Sequence, residues 1–346
     1  MLPGGETLLS ATVRRTRGLV PIGDTFVVTT AEQVPEVRRC LPDLPLANIL
    51  VEPVGRNTAP CIGLAALAVL RRAADAGDAD ATMAVLPSDH YVQNEAVFQE
   101  LLREALANAD RGSIVTIGIR PTKPETGYGY IKLAAPLSGK GTAASAPPIY
   151  IADAFVEKPS HERAAEYLAA GNYLWNSGMF FFPARRILTE LHHYLPPLGT
   201  LLDDLAKHPE HIALRYAEAP AISIDYAVME KLGAASVGAE AAIRVLCGDF
   251  GWNDVGSFSA LSALITADPQ GNHVVAERPT AMQPILLDAH HNTIWNSSRQ
   301  LIAAVGVDEL VIAVTEDAVL VLPKERAQEV RDVVARLQAS GRSELL

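Results

Sequence analysis

The sequence predicts an α/β fold, a mostly parallel sheet with helices on both faces, followed by a small β-solenoid-like domain closed by a helix. Three observations predict it. Short β-branched runs alternate with Ala- and Leu-rich helical stretches through the first third of the chain. From about His273 the helical spacing gives way to short apolar runs punctuated by Asn, Asp and Ser. Hydrophobic residues make up 49% of the 346 positions and charged residues 20%, which suits a packed core rather than a disordered chain.

Residues 7–17 have helical spacing. Residues 25–30 form a β-branched strand and 48–51 a second short one. A helix over 58–74 carries Pro60 in its first turn, where the missing N–H goes unnoticed. Residues 82–86 are an apolar run bounded by turn formers, the pattern of a buried strand. A helix over 95–109 and a strand over 113–119 follow. Strands at 128–133 and 150–156 flank a loop of small residues and prolines, 134–148. Helices at 160–170 and 184–193 enclose a strand at 175–182, and 223–232 and 257–266 are shorter helices. Strands at 284–287, 293–295, 301–304, 310–314 and 318–322 then stack, and an amphipathic helix over 324–338 ends the chain. No fixed-length repeat marks this stack. The expected domains are 1–267 and 268–346.

Composition narrows the function. The net charge is −11, from 40 acidic and 29 basic residues, so a polyphosphate ligand needs a local basic or metal-bearing site. Nucleic-acid binding over a broad basic surface is excluded. Cys40, Cys61 and Cys247 have no metal-ligand spacing, and a reducing cytoplasm is the expected compartment. No run approaches the roughly 18 apolar residues of a spanning helix, so no membrane is expected, and the N-terminus does not read as a secretory signal. The nine histidines give no i, i+4 pair with a nearby acid, and there is no Gly-x-Ser-x-Gly elbow.

Six motifs carry chemistry, and five of them have a structural alternative that stays open. The 82–86 strand ends in Pro87-Ser88-Asp89-His90. Asp89 stands where open α/β sheets bind ligands, as a metal or phosphate-site residue, or it caps the next helix. Glu52-Pro53-Val54-Gly55-Arg56-Asn57-Thr58-Ala59-Pro60 joins a strand to a helix. It offers a guanidinium, an amide, a hydroxyl and helix N-terminal amides to an anion or a nucleobase edge, or it is a capped turn. Glu125-Thr126-Gly127-Tyr128-Gly129-Tyr130 lets a ligand approach the backbone and offers a flat sugar platform, or it packs its tyrosines. Glu157-Lys158 sets a hydroxyl acceptor beside a phosphate-binding cation, or is a solvated pair. Asn176-Ser177-Gly178 places polar groups within an apolar strand, where Asn176 either braces a loop or binds ligand. Gly251-Trp252-Asn253-Asp254 supplies a second carboxylate, and two carboxylates with water and phosphate oxygens make a usual Mg²⁺ shell. Asp225, opening a helix, has a helix-dipole role by default.

Taken in order, these segments resemble the bacterial mannose-1-phosphate guanylyltransferase (GDP-mannose pyrophosphorylase) family, over nearly the whole chain. The resemblance implies a Rossmann-like, GT-A-like nucleotidyltransferase with a mixed sheet and a small C-terminal β-helix-like domain. It implies formation of GDP-mannose and pyrophosphate from GTP and mannose 1-phosphate with Mg²⁺. Asp89, Lys158 and Asp254 would be catalytic, with Asp89 and Asp254 on the metal. Gly55, Arg56, Asn57, Thr58, Ala59, Pro87 and Ser88 would bind nucleotide. Gly127, Tyr128, Glu157, Asn176 and Asp225 would bind the sugar. The C-terminal domain would carry the contacts of a homodimer, and no isomerase activity is expected.

Asn253 replaces a usual Ser and Phe258 a usual Trp. The family's opening strand and Gly-rich phosphate loop are expected to be missing ahead of Met1, roughly 20–25 residues on the strand–loop–helix unit. A catalytically impaired sugar-nucleotide-binding or regulatory subunit is therefore the alternative expectation. A related enzyme using another sugar, such as glucose 1-phosphate, is a third.

Overall fold

The computed structural model describes residues 6–136, 148–235, 243–255, 265–276, 282–342 and 345. The elements run α1 (Leu8–Thr16), β1 (Val27–Thr30), α2 (Val34–Cys40), β2 (Ile49–Glu52), α3 (Thr58–Asp75), β3 (Thr82–Val85), β4 (Tyr91–Val92), α4 (Glu95–Ala109) and β5 (Val115–Ile119). Then come β6 (Tyr130–Pro136), β7 (Ile149–Val156), α5 (His161–Ala170), β8 (Tyr173–Pro183), α6 (Ala184–Tyr194), α7 (Pro196–Lys207) and α8 (Ile212–Arg215). A π-helical turn, Asp225–Met229, leads into α9 (Glu230–Ala235), followed by β9 (Arg244–Gly248) and β10 (Trp252–Asn253). The C-terminal strands are β11 (His273–Ala276), β12 (Ile285–His290), β13 (Thr293–Asn296), β14 (Ala303–Asp308), β15 (Leu310–Val314) and β16 (Val319–Pro323), before α10 (Val330–Ala339).

Two compact units result: Leu9–Ser88 with Val92–Trp252, and Met1–Leu8, Asp89–Tyr91 with Asn253–Leu346. The first holds a six-stranded sheet of order β3-β8-β5-β9-β7-β6, with β6 also pairing to β8. Its β8 buries both faces by strand alternation. Leu174, Phe180 and Phe182 face α3, α6 and α7, while Trp175, Met179 and Phe181 face α4 and α5. Helices therefore cover both faces, as expected.

The sheet is mixed rather than mostly parallel. Among the described residues β5–β9 is its one parallel pair, and β3–β8, β5–β8, β6–β7, β6–β8 and β7–β9 are antiparallel. The early alternation reports strands and crossovers correctly, but β8 arrives later and inserts antiparallel between β3 and β5. A separate parallel pair, β1–β2, packs on α1 and α2 through Val13, Val37, Leu41 and Ile49.

In the second unit, β11, β13 and β15 stack in parallel, as do β12 and β14, and β16 closes the first stack antiparallel. The expected solenoid-like stack is there, with β11 added to it. The terminal helix begins as a 3-10 segment, Lys324–Glu329, before α10. The expected helix at 257–266 lies mostly outside the described residues, as do Phe258 and most of the 134–148 loop.

Candidate active site

Of the residues expected to bind the sugar, Glu157, Asn176 and Asp225 come together in the first unit. β8 is kinked where Asn176-Ser177-Gly178 crosses β5. Its register against β5 shifts between Thr116 and Gly118, and Gly178 takes a left-handed φ of 69°. Ser177 Oγ donates to Ile117 O (2.6 Å) and Thr116 Oγ1 to Met179 O (2.9 Å), which satisfies the polar groups of the bulge. Asn176 is thereby turned to the sheet margin. Its Nδ2 donates to Asp225 Oδ1 (2.7 Å), its Oδ1 accepts from Gly178 N–H (3.1 Å), and its own N–H donates to Gly129 O (2.8 Å). Asn176 does brace a neighbouring segment, the one that carries Asp225.

Glu157 completes this cluster. A Cβ at Gly129 would overlap Glu157 Oε2 and crowd Asn176 Cβ at 3.3 Å, so glycine there is what lets the carboxylate lie against the backbone. Glu157 N–H donates to Glu230 Oε1 (3.0 Å), and Lys158 Nζ stands 3.5 Å from Glu157 Oε1. Burial, then the neighbouring Asp225 charge, raises the Glu157 carboxyl above its ordinary range, against the opposing pull of Lys158. Asp225 is also raised, chiefly by burial and against the pull of Asn176. It opens a π-helical turn rather than an ordinary α-helix, and there it accepts from Asn176 Nδ2.

The 125–130 segment resolves its two readings unequally. Tyr130 is fully buried and packs on Tyr167. Tyr128 is half-buried, edge-on to Trp175 and to Trp252, both at 5.2 Å. Gly127 N–H donates to Glu125 Oε1 (3.1 Å), which shapes an exposed turn.

In the 52–60 loop, Asn57 caps α3 from a left-handed φ of 67°, its Oδ1 accepting from Thr58 N–H (2.8 Å). Ala59 N–H donates to Ile222 O (3.1 Å) and Pro60 has no N–H. The helix end is thus largely spent internally, and the open part of the loop is the exposed stretch around Gly55. Arg56 turns one nitrogen inward, where Nη2 donates to Ala217 O. Pro87 closes on the β8 bulge, its Cγ lying 3.6 Å from the Cβ position of Gly178, with Ser88 exposed beside it.

Asp89 and Asp254 lie in the second unit. Asn94 N–H donates to Phe250 O (2.9 Å), Gln93 N–H reaches Gly251 O (3.3 Å), and β4 pairs with β10. The two segments thus run in opposite senses, and the next residues along them are Asp89-His90 and Asp254-Val255. Asn253 Oδ1 accepts from Val255 N–H (2.7 Å), so the residue standing for the usual Ser shapes the turn around Asp254. The donor set is two carboxylates on paired loops, the oxygen chemistry a hard divalent cation takes. Sequence spacing missed His208, Glu210 and His211, whose potential ligand atoms lie within 4.8 Å of one another. That group is largely exposed, and His211 Nδ1 is held by Asp204 (2.9 Å), which Arg215 also grips.

Residues 1–271 match the Nucleotidyl transferase family, and residues 283–337 match the MannoseP isomerase/GMP-like beta-helix domain. The chain is 40% identical over 354 residues to a mannose-1-phosphate guanylyltransferase of Escherichia coli, covering 99% of this chain and 69% of the relative. It is 35% identical over 352 residues to the alginate biosynthesis protein AlgA of Pseudomonas aeruginosa, covering 99% and 68%. A crystal structure from Thermus thermophilus, described as a mannose-1-phosphate geranyltransferase, superposes with a TM-score of 0.81. It has 37% identity and covers 97% of this chain and 91% of that one. Enzymes of this kind generally use a divalent metal. The chain belongs to the mannose-1-phosphate guanylyltransferase family of nucleotidyl transferases.

Proposed function

We propose that this chain joins GTP and mannose 1-phosphate into GDP-mannose and pyrophosphate. The observation that carries the reading is the cluster in which Asn176 is hydrogen-bonded to Gly129 and Asp225, with Glu157 packed against Gly129 and Lys158 beside it. It sets hydroxyl acceptors and an amide next to one cation, as a sugar phosphate requires. Glu157, Asn176 and Asp225 hold the mannosyl hydroxyls, with Gly127 and Tyr128 at the rim, and Lys158 meets the phosphate. Gly55, Arg56, Asn57, Thr58, Ala59, Pro87 and Ser88 take the nucleotide. A phosphate oxygen of mannose 1-phosphate forms a bond to the α-phosphorus of GTP in line, and the bond to the β-phosphate oxygen breaks to release pyrophosphate. The nucleophile is already anionic, so the protein needs no general base and works by positioning and charge neutralisation.

Asp89 and Asp254 would hold Mg²⁺, which when bound supplies charge neutralisation to the phosphates. A cytoplasmic setting fits the three free cysteines. Among the described residues no helix is long and apolar enough to cross a membrane.

The test supplies the purified chain with GTP, mannose 1-phosphate and MgCl₂ and follows pyrophosphate and GDP-mannose. Release of both, abolished by EDTA, is expected. Tight GDP-mannose binding without any pyrophosphate would replace this reading with that of a non-catalytic binding subunit. Faster turnover with glucose 1-phosphate would change the sugar.

A further inference from the structure

Tyr216 is fully buried and has no part in the roles above. Its hydroxyl donates to Glu52 Oε1, and Glu52 is the last residue of β2, at the root of the 53–59 loop. Three more ties join the same two segments. Arg56 Nη2 donates to Ala217 O, Ala59 N–H to Ile222 O (3.1 Å), and Ile224 N–H to Thr58 Oγ1 (2.9 Å). The segment then ends at Asp225, which accepts from Asn176 Nδ2 (2.7 Å). One irregular stretch therefore holds the nucleotide loop from its root to the start of α3, and its far end lies in the sugar-side cluster.

We propose that residues 216–225 brace the 52–59 loop in its nucleotide-binding form and couple it to the sugar pocket, with Tyr216 as the positioning residue at the root. This rests on the nucleotide role assigned above to residues 55–59. Pro53, Val54, Gly55 and Asn57 are exposed and belong to no helix or strand, so the loop has little packing of its own to fix it. Its order comes from the ties. The tie at the root is the strongest, because both partners are buried and the loss of one strands the other. Burial also raises the Glu52 carboxyl, against the pull of Tyr216, and pushes the Tyr216 hydroxyl up, so the hydroxyl keeps the proton it donates. Beside it, Arg56 Nε is buried with no partner among the described residues, which leaves the guanidinium dependent on the same segment for its position. A ligand that orders one end of such a brace lowers the ordering cost at the other, which is coupling without a large movement.

Tyr216→Phe keeps the ring and removes the donor, and Glu52→Gln keeps an acceptor for it. GTP affinity by calorimetry, and KM for each substrate, are measured well below the melting temperature of each variant. For Tyr216→Phe we expect GTP to weaken about tenfold, about 1.4 kcal/mol, with a smaller rise in KM for mannose 1-phosphate. Glu52→Gln should stay near wild type. A Tyr216→Phe protein that melts lower yet binds GTP as wild type makes the contact merely structural and overturns the proposal. Hydrogen exchange on the unmodified protein needs no variant. GTP should slow exchange at Ile224 and its neighbours as well as at residues 54–59, and protection confined to 54–59 would also overturn it. Wild-type protein that binds no GTP at all would instead refute the nucleotide role on which the brace rests.

Discussion

Glu157 shows how one carboxylate is set by its neighbours. Glycine at 129 makes room for it, burial and Asp225 raise it, and Lys158 partly offsets them. Its unfolded value is near the ordinary 4.5, and its folded value is higher. Its contribution to stability is thus fully present below about pH 4.5 and is lost as pH rises through the raised value. Glu157→Gln removes that loss. The variant should melt together with wild type near pH 4.5 and progressively above it as pH rises through the raised value, while its KM for the sugar phosphate increases. A melting difference that stays flat across that range would show that the carboxylate is not strained by its site. The trade of stability for binding is the usual one at a functional site. The residue types here were legible in sequence, because a Glu-Lys pair after a strand and polar groups inside an apolar run both stand out. Their joining was not. Nothing in the local pattern says that Asn176 reaches across to Asp225, or that Asn57, Ile222 and Pro60 leave the α3 N-terminus with little to offer an anion.

At the scale of elements, long segments with a clear period were legible. The α4 helix begins and ends where its spacing says, and β15 does likewise. The short pieces were not: α2 carries a proline, α7 opens on two of them, and β4 and β10 are two residues each. The solenoid explains the missing repeat. The left-handed positions Gly271, His291 and Glu309 each stand just before a stacked strand, yet His273 pairs with Thr293 and Thr293 with Val311, so successive coils differ in length. What recurs is a hydrogen-bond ladder. Asn292 is fully buried, donates through Nδ2 to Asn272 Oδ1 (3.0 Å) and Val307 O (2.9 Å), and accepts from Leu310 N–H (2.9 Å). Asn292→Ala would take this partner from Val307 O and the Leu310 N–H inside the stack, while Asn272 Oδ1 keeps the Asn292 N–H (2.9 Å), and should cost about 1–3 kcal/mol. Denaturant unfolding should show that loss, and hydrogen exchange should find the Leu310 amide newly open. A Leu310 amide as protected as before would mean that the ladder does not hold the coil.

The whole molecule carries a net charge of −11, which keeps copies of the chain apart unless an apolar contact offsets it. The second unit has such a surface. On the β12–β14 pair, Leu286 and Ala304 face the core, while Ile285, Leu287 and Val305 are 48%, 57% and 63% exposed, with Leu301 at 49%. Strand alternation puts Ile285 and Leu287 beside Ala303 and Val305 in one flat row. Such a row is on the order of a few hundred Å², the size of the largest apolar patch on a typical monomer, which is often functional. It is less than the roughly 800 Å² each partner gives a stable interface, so a polar rim must complete it. We infer that a second copy covers it, in a homodimer. An isologous contact suits the row, because each copy brings the same apolar strip. Light scattering should then give wild type twice the 37.0 kDa of one chain. The Leu287→Lys, Val305→Lys double variant should run as a single chain, with the core of the unit intact because neither side chain points inward. A double variant that keeps the wild-type mass, or a wild type already at 37.0 kDa, would remove this face as the site of assembly.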